Sequence, residues 1–554
     1  MNINNLAIDF GTCNTVISYM HNGNISHILN DINGDLLIPS SILFIKEEIS
    51  SKNKITELIY NKHFIIGHVA NEKYNSNKDH ESFFYQFKRF LGLTSKSLNS
   101  RDFLEKFKIK YELDDEIIYF YIPTNDDEYI KINIIELIRC YFIGLNNLIK
   151  HNLNLIGDIT IILTCPAYFH DLQRSQLKKA AEESQFKIFK IYNEPTAAAI
   201  YYINKLNDDN YNNKFIVYDL GGGTIDTTVV EYHLDTKTCE IIDIAGNNSL
   251  GGIDIDNLII EDIYQKYCIN NSKANIKWLS KIRKYAEEIK IKLSYTNSYE
   301  IVLENVPINK NNTIIIEDIL RIKYTKHMFN SLINNLIDKM IESIIWMHNL
   351  YKTTNIIFIG GPTQIPLLQE KLTAVINLDS NKIILNNKNY LYKTIVADGA
   401  ATLYDMLNTK VDFCLLDIIP MNIGISSINN EMIIMINKNS KIPTTVERIF
   451  TTSYDCQRSI NIEIYEGNSN LYLENTFIGS YMIIGIPPLQ RGGIIIKLLF
   501  KITYNGILNI SINGFKNPSD ISAKSFDFKL TEKIKLIPNI IAKELLRKIL
   551  SEKK

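Results

Sequence analysis

Short apolar runs, each closed by a carboxylate or a glycine, punctuate the N-terminal part of the chain and read as buried strands. The clearest is Phe215–Val230, F-I-V-Y-D-L-G-G-G-T-I-D-T-T-V-V, a strand, a turn and a second strand. Phe215 to Tyr218 are aromatic or β-branched, as a buried strand prefers. Asp219 closes the first strand, and Gly221, Gly222 and Gly223 follow without Cβ atoms, so phosphate oxygens can approach the backbone N–H groups. Thr224 adds a hydroxyl and Asp226 a second carboxylate. A plain hairpin turn is the bland alternative, but it needs only one or two glycines. The same order recurs in Leu6–Thr15, L-A-I-D-F-G-T-C-N-T, with Asp9, Gly11 and hydroxyls at Thr12 and Thr15. Two similar lobes are therefore predicted, each offering a phosphate hairpin to one nucleotide between them. Neither stretch is a Walker A loop or a G-x-G-x-x-G turn.

Elsewhere, periodicity predicts helices over Ile132–Leu148 and Lys277–Leu293, further helices within Ile314–Leu350, and a closing helix over Lys393–Tyr404. Ile159–Thr164 and Phe186–Tyr192 read as strands, and Ile356–Gln364 repeats the strand–Gly–Gly theme. Asp171 is a candidate cap for the helix carrying Arg174. Lys88 lies among the aromatics of Phe84–Leu93, where spacing alone favours a snorkelling surface lysine over a desolvated one. Glu194 stands at a strand-to-helix turn, where active-site carboxylates and ordinary helix-entry carboxylates both occur.

The pattern then changes. Asp412–Asp417 is an apolar tetrapeptide between aspartates, which as a linker implies docking into a groove and otherwise a short core strand. From Ile418 to about Leu530 short strands alternate with turn signals, including a two-residue hairpin at Asn505–Gly506, and predict an all-β sandwich. Pro538 is placed to start a last helix with an apolar stripe at Ile540, Ile541, Leu545 and Ile549.

A chain of 554 residues needs two or three cores. A hydrophobic content of 45% with 22% charged residues is ordinary for a folded protein, and a net charge of -1 argues against nucleic acid or an anionic membrane as partner. The seven cysteines are scattered without a C-x-x-C pair, which points to a reducing compartment rather than zinc or disulfides. With no leader or membrane span in the pattern, a cytoplasmic location is expected.

The ordered set I-D-F-G-T-C-N-T, K-R-F-L-G, T-C-P-A-Y-F-H-D-L-Q-R, N-E-P-T-A-A-A-I, Y-D-L-G-G-G-T-I-D, L-G-G-I-D-I-D, I-G-G-P-T-Q-I-P, D-F-C-L-L-D, I-Y-E-G and G-I-P-P-L-Q-R-G-G resembles the seventy-kilodalton heat-shock chaperones. That resemblance implies an α/β ATPase domain of the actin/hexokinase type over residues 1–410, a linker at 411–417, a β-sandwich peptide-binding domain at 418–530 and a short C-terminal helix at 531–554. It implies ATP or ADP with magnesium held by Asp9 and Asp219, and potassium as an optional companion ion. Thr12, Cys13 and Asn14 match the first phosphate hairpin, and Gly221, Gly222, Gly223 and Thr224 the second. Lys88 matches the catalytic lysine, Glu194 the carboxylate near the attacking water, Asp226 its partner, and Asp219 and Thr224 further catalytic positions. Gly251 and Gly252 are implied as nucleotide contacts, with Glu287, Lys290, Ser294, Gly361 and Gln364 around the adenosine. Pro166 and Arg174, with Leu415, Leu416 and Asp417, match the switch between nucleotide and linker, and Ile425, Ile428, Phe450, Ile460 and Ile462 the peptide slot. Implied partners are unfolded polypeptides, a J-domain cochaperone and a nucleotide exchange factor.

The chain departs from the family pattern. Cys13 replaces a usual threonine, Gln364 an arginine that stacks on adenine, Lys393 an acidic residue and Glu431 an aliphatic one. The several-helix lid is cut to one short helix, which implies faster peptide exchange. Two other functions compete: a structural or assembly protein keeping the fold, and a small-molecule kinase or filament former of the actin-like class.

Overall fold

The computed structural model describes residues 5–30, 34–53, 55–60, 63–76, 82–97, 104, 109–114, 117–205, 214–267, 276–310, 313–376, 391–409, 413–484, 486–516 and 536–538. Two mixed sheets built to one plan organise the N-terminal part. In the first, Asn5–Phe10 pairs antiparallel with Asn14–His21 and parallel with Ile159–Cys165, which is flanked by Phe186–Asn193. In the second, Lys214–Leu220 pairs antiparallel with Ile225–His233 and parallel with Ile356–Ile359. The predicted duplication of the two glycine hairpins is thus a duplication of whole sheets. Their central strands are covered on both faces, as continuous apolar runs demand.

Helices Glu194–Lys205 and Leu391–Asn408 pack against one another between the two sheets. Small residues make that contact close: Ala197, Ala198, Ala199, Ala397 and Ala400 are fully buried. A Cβ on Gly399 would lie 1.8 Å from the Ala197 carbonyl oxygen.

Helix Ile134–Leu153 starts later than the apolar pattern suggests, because Asn133 caps it in a reciprocal box with Glu136. Asp171 is not a cap. His170 occupies that position and its N–H donates to Gln173, leaving the Asp171 carboxylate for other partners. Helix Ile276–Tyr295 matches expectation. Ile314–Thr325 does not: Thr313–Thr325 is a strand paired with Ser298–Lys310, and a helix begins only at Lys326. Its isoleucine-rich run fits either period, and the partner strand decides.

After the linker, two sheets face one another. One runs Met432–Ile436, Ile423–Ser426, Ser459–Glu466, Thr476–Ile484 and Leu536–Pro538, and the other Thr444–Thr451, Ile494–Ile502 and Leu508–Lys516. Ile464 and Ile483 from the first meet Ile496, Leu498 and Phe500 from the second in a single core. Sequence reading missed Ile423–Ser426 and Thr476–Ile484, which are short or interrupted by Gly424 and Gly479. Pro538 lies in a strand, since Leu536–Pro538 joins the edge beside Tyr481–Ile483. The apolar stripe at Ile540, Ile541, Leu545 and Ile549 lies outside the described residues.

Gly399→Ala should destabilise the N-terminal part by about 1–3 kcal/mol, because the obstructing atom is backbone and cannot swing aside. Urea unfolding followed by circular dichroism checks it, and an unchanged midpoint would contradict the packing described here.

Candidate active site

The two glycine hairpins meet at a cleft between the sheets. Gly222 and Cys13 mark the meeting point, since a Cβ on Gly222 would lie 2.6 Å from the Cys13 sulfur. A Cβ on Gly251 would fall 2.5 Å from the Gly222–Gly223 peptide, so only glycine lets the helix Gly252–Lys266 begin against the hairpin. These glycines serve chain-to-chain approach as well as any phosphate. The cleft holds about 270 Å³. Asp9, Thr12, Cys13, Asn14, Lys88, Glu194, Asp219, Gly221, Gly222, Thr224, Gly252, Glu287, Lys290, Ser294, Gly361 and Gln364 all line it. Gly223, Gly251 and Asp226 do not: Gly223 packs on the Arg89 side chain, and Asp226 accepts a 2.9 Å bond from the Tyr168 N–H.

At the floor, Lys88 Nζ lies 2.7 Å from Glu194 Oε1. Lys88 is buried, 2% exposed, with its ammonium facing the rings of Phe10 and Phe169. The snorkelling alternative is therefore wrong, because the short helix Phe87–Phe90 buries both flanking phenylalanines and turns the lysine inward between them. Burial alone would lower the ammonium's pKa, but Glu194 and Asp9 together outweigh it and raise it.

Four carboxylates surround this one cation. Burial, then Glu194, pushes Asp9 up to about 7, against the pull of Lys88 and a hydrogen bond from Thr164. Burial, then Glu194, likewise pushes Asp226 up to about 7. Asp219 is raised well above the carboxylate range by burial and then by Glu194. Asp219 also stands directly opposite Asp226 across the hairpin ladder, an arrangement that disfavours the fold. A buried surplus of negative charge beside a cavity fits a divalent cation. Among the described residues, no three His, Cys, Asp or Glu side chains converge to chelate one directly. The donor set therefore suits a hydrated ion shared with phosphate oxygens, not a protein-only cage.

The opposite rim belongs to helix Ile276–Tyr295. Lys290 bonds Asp256 at 2.8 Å and the Gly252 carbonyl at 3.2 Å. Gln364 turns its amide to Thr363 at 3.3 Å. Ile291, Tyr295, Pro362, Tyr392 and Lys393 line this side too, without being singled out as ligands in the sequence. Pro362 lies within the I-G-G-P-T-Q-I-P motif and Lys393 stood out only as a departure from the family pattern, while Ile291 and Tyr295 flank Lys290 and Ser294 on one helix.

Behind the floor, Arg174 binds the carbonyls of Pro166 at 3.3 Å, Ala167 at 2.9 Å and Phe169 at 3.0 Å, and the Asn193 side chain at 2.7 Å. The Asn193 amide donates to both oxygens of Asp417, at 3.1 and 3.0 Å. Cys414–Leu416 joins the second sheet as a parallel edge strand beside Thr238–Glu240, with Leu415 and Leu416 half-buried. In the sandwich, Ile425 and Ile462 are buried and Phe450 and Ile460 partly buried in one apolar cluster. Ile428 is not part of it. It is 89% exposed on the turn closed by Ser427 and Glu431, which carries it off the sheet.

Comparison with known proteins accords with this geometry. The family model described as Hsp70 protein matches residues 5–525. The chaperone protein dnaK of Cyanidium caldarium is 29% identical over 521 residues, covering 91% of this chain and 77% of that one. The chaperone protein DnaK of Metamycoplasma hominis is 30% identical over 523 residues, covering 92% and 77%. The match runs over nearly the whole chain, which belongs to the Hsp70 family.

Proposed function

We propose that this ATP-hydrolysing Hsp70-family chaperone works through a cleft floor and a linker that share a single polar chain. The observation that carries this is adjacency. Glu194 pairs with Lys88 in the cleft, and its neighbour Asn193 holds Asp417 of the linker. A shift of the strand end that moves one side chain therefore moves the other.

In this reading the ATPase part spans residues 1–410, the linker 411–417, the sandwich 418–530 and the short terminal segment 531–554. Lys88 stabilises charge on the transferring phosphoryl group, and Glu194 orients the attacking water. Asp226 fixes the Tyr168 backbone behind Glu194. Thr12, Cys13, Asn14, Gly221, Gly222, Thr224 and Gly252 surround the phosphates, with Gly223 and Gly251 packed behind. Glu287, Lys290, Ser294, Gly361 and Gln364 take the adenosine. Asp9 and Asp219 would hold magnesium through water, which when bound neutralises phosphate charge; potassium is a candidate second ion. Binding of unfolded polypeptide falls to the sandwich, at Ile425, Ile428, Phe450, Ile460 and Ile462, where backbone pairing and one buried aliphatic side chain supply affinity. Ile425 and Ile462 lie in the core here, so the slot must open by a rearrangement of that sheet. A J-domain cochaperone, an exchange factor and a cytoplasmic site complete the reading. No described helix is long and apolar enough to cross a membrane.

Lys88→Ala should lower single-turnover ATP hydrolysis about 10²–10³-fold while calorimetric nucleotide affinity changes little. Retained hydrolysis would favour a fold kept for assembly alone. Leu416→Asp should detach the edge strand. ATPase stimulation by an extended apolar peptide is then lost, and proteolysis at 412–417 no longer depends on nucleotide. Intact stimulation would remove the linker from the mechanism.

A further inference from the structure

The interface between the ATPase part and the sandwich contains charges that neither the catalytic floor nor the linker strand requires. Glu466 closes the strand Ser459–Glu466 and is 3% exposed. Its Oε2 accepts a 2.9 Å bond from the Asp171 N–H, at the start of a helix in the ATPase part. The Asp171 carboxylate answers in the other direction, accepting a 2.5 Å bond from the Leu508 N–H of the sandwich. Each carboxylate thus reaches the backbone of the opposite part, with Glu466 buried and Asp171 half-buried beside it.

Compensating charge is scarce there. Arg174 is the guanidinium of this interface, and its N–H groups go to the Phe169, Pro166 and Ala167 carbonyls, the Cys165 sulfur and the Asn193 amide oxygen. None reaches a carboxylate. Asp417 is a third buried acid, held by Asn193 and the Ile418 N–H, with Lys190 and Tyr192 on its side of the cavity. Tyr168 faces Glu466 from the ATPase part. Tyr504 lines the cavity from the sandwich. On the strand of Glu466, Glu463 is turned to Lys96 at 3.5 Å and Tyr465 bonds Glu463.

We propose that closing the sandwich onto the ATPase part is coupled to proton uptake by Glu466 and Asp171, so that acid favours the docked arrangement and alkali loosens it. The inference rests on the reading of the linker as the coupling element and adds a second input to it. Burial, helped by the charge of Asp171 and opposed by the Asp171 N–H and by Arg174, leaves Glu466 up at about 8, and burial, opposed by the Leu508 N–H and Arg174, pushes Asp171 up to about 6. Separated and solvated, the same groups return to 4.5 and 3.8. Below those ordinary values both are protonated in either arrangement and docking bears no penalty. As pH rises from there to the docked values, each group costs docking about tenfold per pH unit. The loss therefore levels off above about 8. The cross-interface pairs Lys438–Asp243 at 2.9 Å and Lys441–Glu240 at 2.7 Å, with His233 3.5 Å from Glu240, respond to salt.

The full chain at saturating magnesium–ATP, with saturation confirmed by calorimetry in each buffer, provides the test. Docking is read from Trp346 emission, since Lys438 of the sandwich lies 5.3 Å over that ring, and from protease protection of 412–417. The docking constant should fall about tenfold between about pH 6.5 and 7.5. Glu466→Gln keeps the acceptor for Asp171 and should dock independently of pH in that window. Asp171→Asn should remove the step near pH 6 and move the upper limb to lower pH, because the Asp171 charge no longer raises Glu466. A wild-type docking constant flat in pH, the same slope in Glu466→Gln, or a Glu466→Gln chain undocked at every pH would each overturn the proposal. Failure of nucleotide coupling looks different: the docked population would then ignore ATP at every pH.

Discussion

The ion pair between Lys88 and Glu194 is the point around which the catalytic half is built. A lone buried ammonium or carboxylate is too costly to keep charged, so each requires the other once the aromatic floor has removed water. Yet the pair does not balance the cleft, because Asp9, Asp219 and Asp226 crowd the same cation. The fold tolerates two aspartates opposed across one hairpin, a local sacrifice of stability that makes sense only where a cation and phosphates complete the charge.

That constraint explains the duplicated sheets. Each places an aspartate at the end of a central strand and a glycine turn beyond it, so the two turns can face one another only across a cleft. The close contact of helices Glu194–Lys205 and Leu391–Asn408 then sets the spacing of the sheets with alanine and glycine, which leave little freedom for drift. The polar chain from Glu194 through its neighbour Asn193 to Asp417 joins the floor to the residue that follows the outer edge strand of the second sheet. An edge strand is suited to this, since it pairs on one side only and detaches at lower cost than a central strand.

The interface beyond the linker has a different chemistry. Its rim consists of lysine–carboxylate pairs, while its centre holds Glu466, Asp417 and half-buried Asp171 around the guanidinium of Arg174, which hydrogen-bonds none of them. Rim pairs suit steering and register, and buried unpaired acids suit a switch, because a proton decides whether they are tolerated. Nucleotide and proton thereby act on one equilibrium from two places.

The local pattern of the chain was enough to locate both glycine hairpins, the linker and the sandwich, because alternation, glycine runs and the Asp412–Asp417 break depend on neighbours only a few residues apart. Family resemblance then named most of the cleft residues. What the chain alone left open were matters settled by partners distant in sequence. Ile314–Thr325 is a strand because Ser298–Lys310 lies beside it, and Asp171 faces the sandwich because His170 takes the cap. Lys88 points inward because Phe10 and Phe169 close over it from either side. Glu466, in the sequence only a letter of the I-Y-E-G motif, is bonded by the backbone of a helix nearly three hundred residues earlier. Burial is a property of the assembled surface, and it sets the cost of charge, so tertiary structure alone decides which acids and bases of this chain are chemically active.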